Sequence, residues 1–86
     1  MTDYITDADA WLEVRVGDSC TVLGLLEHVG YGNPGHLVIR FADWTHMVIE
    51  CARPRDTTPI ALGAQVHVRA ERTEDGLRAT WIWIRS

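Results

Sequence analysis

The sequence predicts a single all-β domain, and three observations carry that prediction. Segments in the second half and middle of the chain alternate apolar and polar side chains with the period of two that strands have. Clusters of glycine, proline and aspartate separate these segments, as turns do. The 86 residues suit one domain, and they contain no apolar stretch near the roughly 20 residues that span a bilayer.

Composition and the N-terminus exclude several classes of protein. The hydrophobic fraction of 47% and the charged fraction of 23% are ordinary for a globular domain, which argues against disorder and against a basic tail for nucleic acid. The residues Met1–Tyr4 are acidic where a signal peptide would be basic and apolar. We therefore expect a cytoplasmic protein that has no contact with a membrane.

The net charge of −4 is unevenly distributed. Residues 1–27 carry six acids and one arginine, a balance of −5, whereas residues 28–86 carry seven arginines and six acids, a balance of +1. All eight basic side chains are arginine. This usage is typical of GC-rich coding and indicates a bacterium or a phage as the source.

The chain divides into an acidic N-terminal segment, residues 1–13, and a predicted barrel, residues 14–86. Thr6 or Asp7 can accept hydrogen bonds from unpaired backbone N–H groups, and further acids follow, as they do near the positive end of a helix. This pattern predicts one or two helical turns that end by Glu13.

The first predicted strand, residues 19–29, is apolar on both faces, which suits a long curved strand shared between two sheets. Gly24 in its middle predicts a bending point, because it has no side chain to oppose tight coiling. Residues 30–35 contain three glycines and a proline and form the clearest loop. Residues 36–42 and 46–51 then predict the second and third strands, joined in a hairpin with a tryptophan near its tip.

The last third of the chain predicts a connection followed by a second hairpin. Residues 53–59 hold two prolines, and prolines remove the backbone donors that a central strand needs. Residues 65–85 alternate on both sides of the turn signal at residues 74–76, which predicts the fourth and fifth strands.

The register of this hairpin assigns its faces. A four-residue loop at residues 73–76 sets Val68 opposite Trp81, whereas a two-residue turn sets Ala70 opposite Trp81. Both registers preserve parity, so both direct the tryptophans inward and leave two isoleucines on the other face. The predicted inward pair is Trp81 and Trp83, and the predicted outward pair is Ile82 and Ile84.

Five strands, a long glycine-containing first strand and two hairpins resemble the OB-fold, a five-stranded barrel, over about residues 14–85. One departure is that the OB-fold often has a helix between strands three and four, whereas the segment 53–63 here is short and proline-rich. An SH3-like or Sm-like barrel has the same strand count and is the alternative.

The OB-like resemblance implies a ligand surface on strands two and three, flanked by two loops. Aromatic rings beside arginines on this surface suit single-stranded nucleic acid, because bases stack on rings and guanidinium groups hold phosphates. The candidate nucleic-acid-binding residues are Tyr31, His36, Arg40, Trp44, His46, Arg69 and Arg78. Two of them have a structural alternative: Tyr31 packs under its own loop, or Arg40 pairs with Glu50 across the hairpin.

A different function class, a protein-interaction or assembly module, stays open. Its candidate interface residues are Val38, Val48, Ile82 and Ile84. The two isoleucines need a cover, which is either the N-terminal Ile5, Trp11 and Leu12 or a second copy of the chain, so a homodimer is possible. A third interpretation takes the acidic N-terminal cluster as a nucleic-acid mimic.

The sequence predicts no catalytic site, no metal site and no cofactor. The four histidines and two cysteines have no spacing typical of metal ligands. Cys20 and Cys51 fall in predicted strands, where a buried free thiol is the commonest state. No nucleophile lies in a recognisable catalytic frame. We therefore expect a binding module and not an enzyme.

Overall fold

The computed structural model describes residues 4–32, 34–52 and 62–84. These residues form six strands and one short 3-10 helix at Ala10–Glu13. The predicted connection at residues 53–59 lies outside the described residues. The strands are β1 (Tyr4–Ile5), β2 (Ser19–Gly30), β3 (Gly35–Arg40), β4 (His46–Cys51), β5 (Gln65–Arg72) and β6 (Leu77–Ile84).

Five of these strands close into a barrel. The sheet order is β1-β2-β3-β4-β6-β5, and β5 pairs again with β2. Within the barrel β4 and β6 run parallel, at Glu50 and Arg78, and the other neighbours run antiparallel. The prediction of an all-β fold built on a small five-stranded barrel is confirmed, and β1 is one strand more than was predicted.

Strand β2 belongs to both halves of the barrel, as its two apolar faces predict. Its residues 19–25 pair with β5 and its residues 25–30 pair with β3. At the point of transfer, a Cβ on Gly24 would lie 2.9 Å from the carbonyl oxygen of Arg40 and would overlap the side chain of Ile39. Glycine is therefore required where β2 and β3 approach each other.

The barrel interior is filled by side chains that alternate with outward-facing ones along β3 and β4 and by apolar side chains of the other strands. Among the large residues, Leu26, Leu37, Ile39, Ile49 and Val68 are completely buried. Cys20 and Cys51 are buried free thiols, as expected.

The N-terminal segment differs from the prediction in form. It makes one turn of 3-10 helix, Ala10–Glu13, which ends where the predicted helical turns end but begins later than Thr6 or Asp7. The carboxylate of Asp7 accepts hydrogen bonds from the amides of Asp9 and Ala10 at 3.0 and 2.9 Å. Ile5 is fully buried because β1 adds to β2. Leu12 is 61% exposed and covers nothing, whereas Trp11 is half-buried against the core and faces the guanidinium of Arg72.

The predicted faces of the last strand are wrong beyond its midpoint. The loop at residues 73–76 has the expected four residues, and Ala70 pairs with Ala79. A β-bulge follows, so that Arg69 pairs with Trp81 and Thr80 is the extra residue. The Thr80 hydroxyl donates to the Arg69 carbonyl at 3.1 Å. One inserted residue reverses the facing of everything after it.

Because of this reversal, an isoleucine packs in the core where the sequence predicts tryptophans. Ile82 packs against the buried cluster, while Trp81 and Trp83 are 60% and 48% exposed. Ile82 is therefore not the outward interface residue that was predicted. The side chain of Ile84 lies outside the described residues, although its backbone pairs with Val66.

Burial of Cys20 couples folding to pH. Burial raises the pKa of the Cys20 thiol, and the nearby Arg69 guanidinium lowers it by less. A thiol with a raised pKa in the folded state stabilises the fold below its unfolded pKa, and this contribution is lost as pH rises through the folded pKa. We predict that the free energy of unfolding decreases at alkaline pH more in the natural chain than in Cys20→Val. The free energy of unfolding is measured by chemical denaturation at a series of alkaline pH values, and the same dependence on pH in the natural chain and in Cys20→Val would contradict the prediction. Cys51→Val removes the other buried thiol and serves as the matched variant.

Candidate functional site

The turn between β3 and β4 presents Trp44 at its tip. The amide of Trp44 donates to the carbonyl of Phe41 at 3.0 Å, and the amide of Phe41 donates to the carbonyl of Thr45 at 2.9 Å. The carboxylate of Asp43 accepts from the amide of Thr45 at 3.0 Å and from its hydroxyl at 2.6 Å. Phe41 is buried, so the loop is anchored in the core and closed by hydrogen bonds on both sides of the tryptophan.

Trp44 occupies a backbone conformation that suits glycine. Its φ is 70°, and it is the only non-glycine residue with positive φ in the part of the chain that the structure describes. A type I turn followed by a left-handed residue is a common hairpin loop, and glycine or asparagine usually takes that position. For a bulky side chain the conformation costs about 1 to 2 kcal/mol. The side chain is 72% exposed, so burial does not repay this cost.

The guanidinium of Arg40 packs against one face of the Trp44 indole. The guanidinium carbon lies 4.0 Å from the centroid of the Trp44 ring, which is a cation–π contact. Glu27 completes this group, with its carboxylate 4.0 Å from Nε of Arg40 and in contact with Nε2 of His46. A bulge in β2 between Leu26 and His28 places Glu27 there. We call Glu27, Arg40, Trp44 and His46 the tip surface.

A row of small apolar and imidazole side chains continues from the tip surface across β2, β3 and β4. His28, Val38 and Val48 are in register on the outer face of these strands. Val48 is exposed and Val38 is half-buried. The next outer position on β3, His36, lies over Gly30, where a Cβ would overlap its imidazole ring.

Arg40 has a different carboxylate partner from the one that the sequence suggested. Arg40 lies opposite His46 in register and contacts Glu27. Glu50 instead accepts a hydrogen bond from Nε of Arg78 at 3.1 Å. The predicted alternative of an Arg40–Glu50 pair is therefore wrong. Arg40 and Arg78 each have a carboxylate partner, so these two guanidinium groups add little net positive charge to the face.

Beyond these strands, Tyr31 lies exposed in the loop that follows β2. The loop at the other side, residues 73–76, is closed by the amide of Thr73 donating to the carbonyl of Gly76 at 2.8 Å. Its acids Glu74 and Asp75 are exposed. The first of these loops precedes β3 and the second precedes β6.

A second exposed aromatic group was missed by the sequence analysis. Trp81 and Trp83 project from the outer face of β6 with ring centroids 6.0 Å apart and ring planes inclined by 58°. Arg69 and His67 on β5 lie beside them in register. In the sequence this strand has apolar residues on both faces, and that pattern does not show whether the tryptophans or the isoleucines are buried.

The structure brings together only part of the predicted site. Arg40, Trp44 and His46 form one cluster with Glu27, and His36, Val38 and Val48 lie along the same outer face. Arg78 lies at the junction of that face with β6. Arg69 belongs to the other side of β6, beside the tryptophan pair.

Within residues 4–32, 34–52 and 62–84, no group of three histidine, cysteine, aspartate or glutamate side chains could hold a metal ion. No helix in that part of the chain is long and apolar enough to cross a membrane. Comparison with protein-family models finds none that matches the chain. Comparison with curated protein sequences finds no significant match.

The hydrogen bonds at the tip make one prediction about pH. Hydrogen bonds from the hydroxyl and then the amide of Thr45 lower the pKa of Asp43. A carboxyl with a lowered folded pKa stabilises the fold above its unfolded pKa, and this contribution is lost as pH falls through the folded pKa. We expect acidification to reduce the unfolding free energy more in the natural chain than in Asp43→Asn. The same comparison with Asp75→Asn is the control, and identical acid profiles for natural chain and Asp43→Asn would contradict the prediction.

Proposed function

We propose that this protein is a non-enzymatic module that binds single-stranded nucleic acid with little sequence preference, in the cytoplasm of a bacterium or of a phage-infected cell. The observation that carries the proposal is Trp44, an exposed indole held in a left-handed backbone conformation. Strained residues that the surrounding structure keeps in place cluster at functional sites. Glycine would form the same turn without the backbone strain, and the tryptophan gains only an exposed cation–π contact with Arg40 in return.

The tip surface suits the flat face of a base. Arg40 covers one side of the Trp44 ring, and the ring's exposure leaves its other side open to solvent. A base stacked on that open side would complete a layered arrangement of guanidinium, indole and base. Stacking of this kind contributes about 1 to 3 kcal/mol per base and tolerates every base, because each has a π-face.

The carboxylates that pair with Arg40 and Arg78 determine how strongly nucleic-acid binding should depend on salt. Glu27 and Glu50 already neutralise Arg40 and Arg78, so few counterions are released when a phosphate approaches. The net charge of −4 acts in the same direction. We therefore expect stacking to supply most of the affinity and the salt dependence to be shallow.

A protein partner is the second candidate function, and one observation favours it. The exposed Val48 and half-buried Val38 lie beside a tryptophan and an arginine whose charge is neutralised. Tryptophan and arginine are the residue types most enriched at the energetic centres of protein interfaces. If the partner is a protein, the tip surface does not bind oligonucleotides and instead supplies the residues that contribute most to binding that protein.

Substitution of Trp44 separates binding from folding. We predict that Trp44→Gly leaves the free energy of unfolding unchanged or raises it by up to about 1 kcal/mol, because glycine relieves the left-handed strain. The same variant should bind an oligo-dT of 15 nucleotides at least about fivefold more weakly, since a stacked base is lost. Fluorescence anisotropy of the labelled oligonucleotide and urea unfolding give the two readouts. Leu12→Ala, an exposed residue on the 3-10 helix, is the control.

Two results would overturn the proposal. The first is the absence of saturable binding of the 15-nucleotide oligo-dT to the natural chain at low salt, which would move the assignment to a protein partner. The second is equal affinity of Trp44→Gly and the natural chain, which would remove the tip surface from the binding site.

Removal of the opposing carboxylate should strengthen binding. Glu27→Gln frees Arg40 from its acidic neighbour at 4.0 Å, so that the guanidinium is available to a phosphate. We predict tighter binding of oligo-dT at low salt and a salt slope steeper by roughly 0.7, the value for one phosphate of a single strand. Glu13→Gln on the 3-10 helix is the control for net charge. Weaker binding by Glu27→Gln, or an unchanged slope, would show that Arg40 does not meet a phosphate.

A further inference from the structure

We propose that the outer face of β5 and β6 is a second contact region for the same single strand, formed by Trp81, Trp83 and Arg69. This inference rests on the proposed function and extends it, because it places ligand contacts on a side of the barrel that the OB-like resemblance does not indicate. It predicts a binding site longer than the tip surface alone.

The indoles are held outward by the bulge at Thr80. Arg69 and Trp81 are paired in register, and so are His67 and Trp83, on the outer side of the strands. The barrel interior is already filled on the opposite face by Val66, Val68 and the half-buried Ile82. The two tryptophans therefore cannot turn inward without emptying the core of the residues that now fill it.

The relative orientation of the rings decides how they can be used. A base sandwiched between two rings needs them parallel and about 7 Å apart, twice a contact distance of about 3.5 Å. The observed centroids are 6.0 Å apart and the planes are inclined by 58°. No base fits between them, so each indole offers its own exposed face to a separate nucleotide.

Arg69 supplies the charge that a strand with phosphates requires. Its Nη1 donates to the Thr21 hydroxyl at 3.3 Å, and among the described residues no carboxylate lies within ion-pair distance of it. Arg40 and Arg78 differ, since each has such a partner. A cation that lies beside an indole and has no acidic partner is complementary to a phosphate backbone, whereas a purely apolar partner would leave it unpaired.

The second region adjoins the first through Arg78. Its backbone pairs with Glu50 at the edge of the outer face of β4, and Trp81 follows three residues later on the same strand. A strand that leaves the tip surface along β4 therefore reaches the start of β6. The longest dimension of the molecule is 32 Å, which about ten stacked nucleotides match at roughly 3.4 Å each.

Oligonucleotide length tests the inference. We expect Trp81→Ala/Trp83→Ala to weaken binding of a 15-nucleotide oligo-dT by roughly tenfold or more and to leave a 4-nucleotide oligo-dT unaffected, because the short strand reaches only one region. Trp44→Gly should weaken both. Thermal unfolding shows whether each variant folds, and Leu12→Ala is again the control.

Oxidative footprinting of the natural chain tests it without a variant. N-bromosuccinimide oxidation, read by mass spectrometry at each tryptophan, should be slowed at Trp81 and Trp83 by the 15-nucleotide strand and not by the 4-nucleotide strand. Trp11, stacked against Arg72, should show no change.

The outcomes are distinct. If the long strand binds and depends on Trp44, but Trp81 and Trp83 are neither protected nor required, the second region is wrong and the proposed function stands. If neither strand binds, both proposals are wrong. If the natural chain forms a dimer and the double variant Trp81→Ala/Trp83→Ala is a monomer, the two tryptophans belong to an interface between copies of the chain and the inference is overturned.

Discussion

The double pairing of β2 is the constraint on which the rest of the structure depends. One strand hydrogen-bonds to β5 with its first half and to β3 with its second half, and this transfer is what turns a flat sheet into a barrel. It works only because Gly24 lets β2 approach β3 at the point of transfer. The closure also fixes the order in which the strands lie side by side around the barrel.

Two inserted residues then determine which chemistry reaches the surface. The bulge in β2 adds Glu27, which neutralises Arg40 and contacts His46. The bulge in β6 adds Thr80, and it turns two tryptophans outward. Neither bulge changes the order of the strands. Small local irregularities in a regular barrel therefore control its outer charge and its outer aromatic surface, in line with the general use of bulges to redirect side chains.

The regular parts of this fold could be predicted from sequence, because strand periodicity and turn chemistry are local. Residues 46–51 form a strand with the predicted faces, and the loop at residues 73–76 has the predicted length. The bulge at Thr80 was not predictable in this way, since a strand with apolar residues on both faces gives no parity signal. The acidic partner of Arg40 was also missed, because Glu27 comes from another strand through a second bulge. Trp44 was found at a hairpin tip, but its left-handed conformation appears only in the structure.

The junction between β4 and β6 differs from the other seams of the barrel. The other neighbouring barrel strands pair along most of their length, whereas these two strands are in register at Glu50 and Arg78. The same two side chains join across the junction through the Arg78 Nε hydrogen bond. A partly exposed ion pair adds little stability, so we expect this seam to open at a lower free energy than the longer pairings of the barrel. An anion that draws Arg78 away from Glu50 would therefore act on the shortest seam of the barrel.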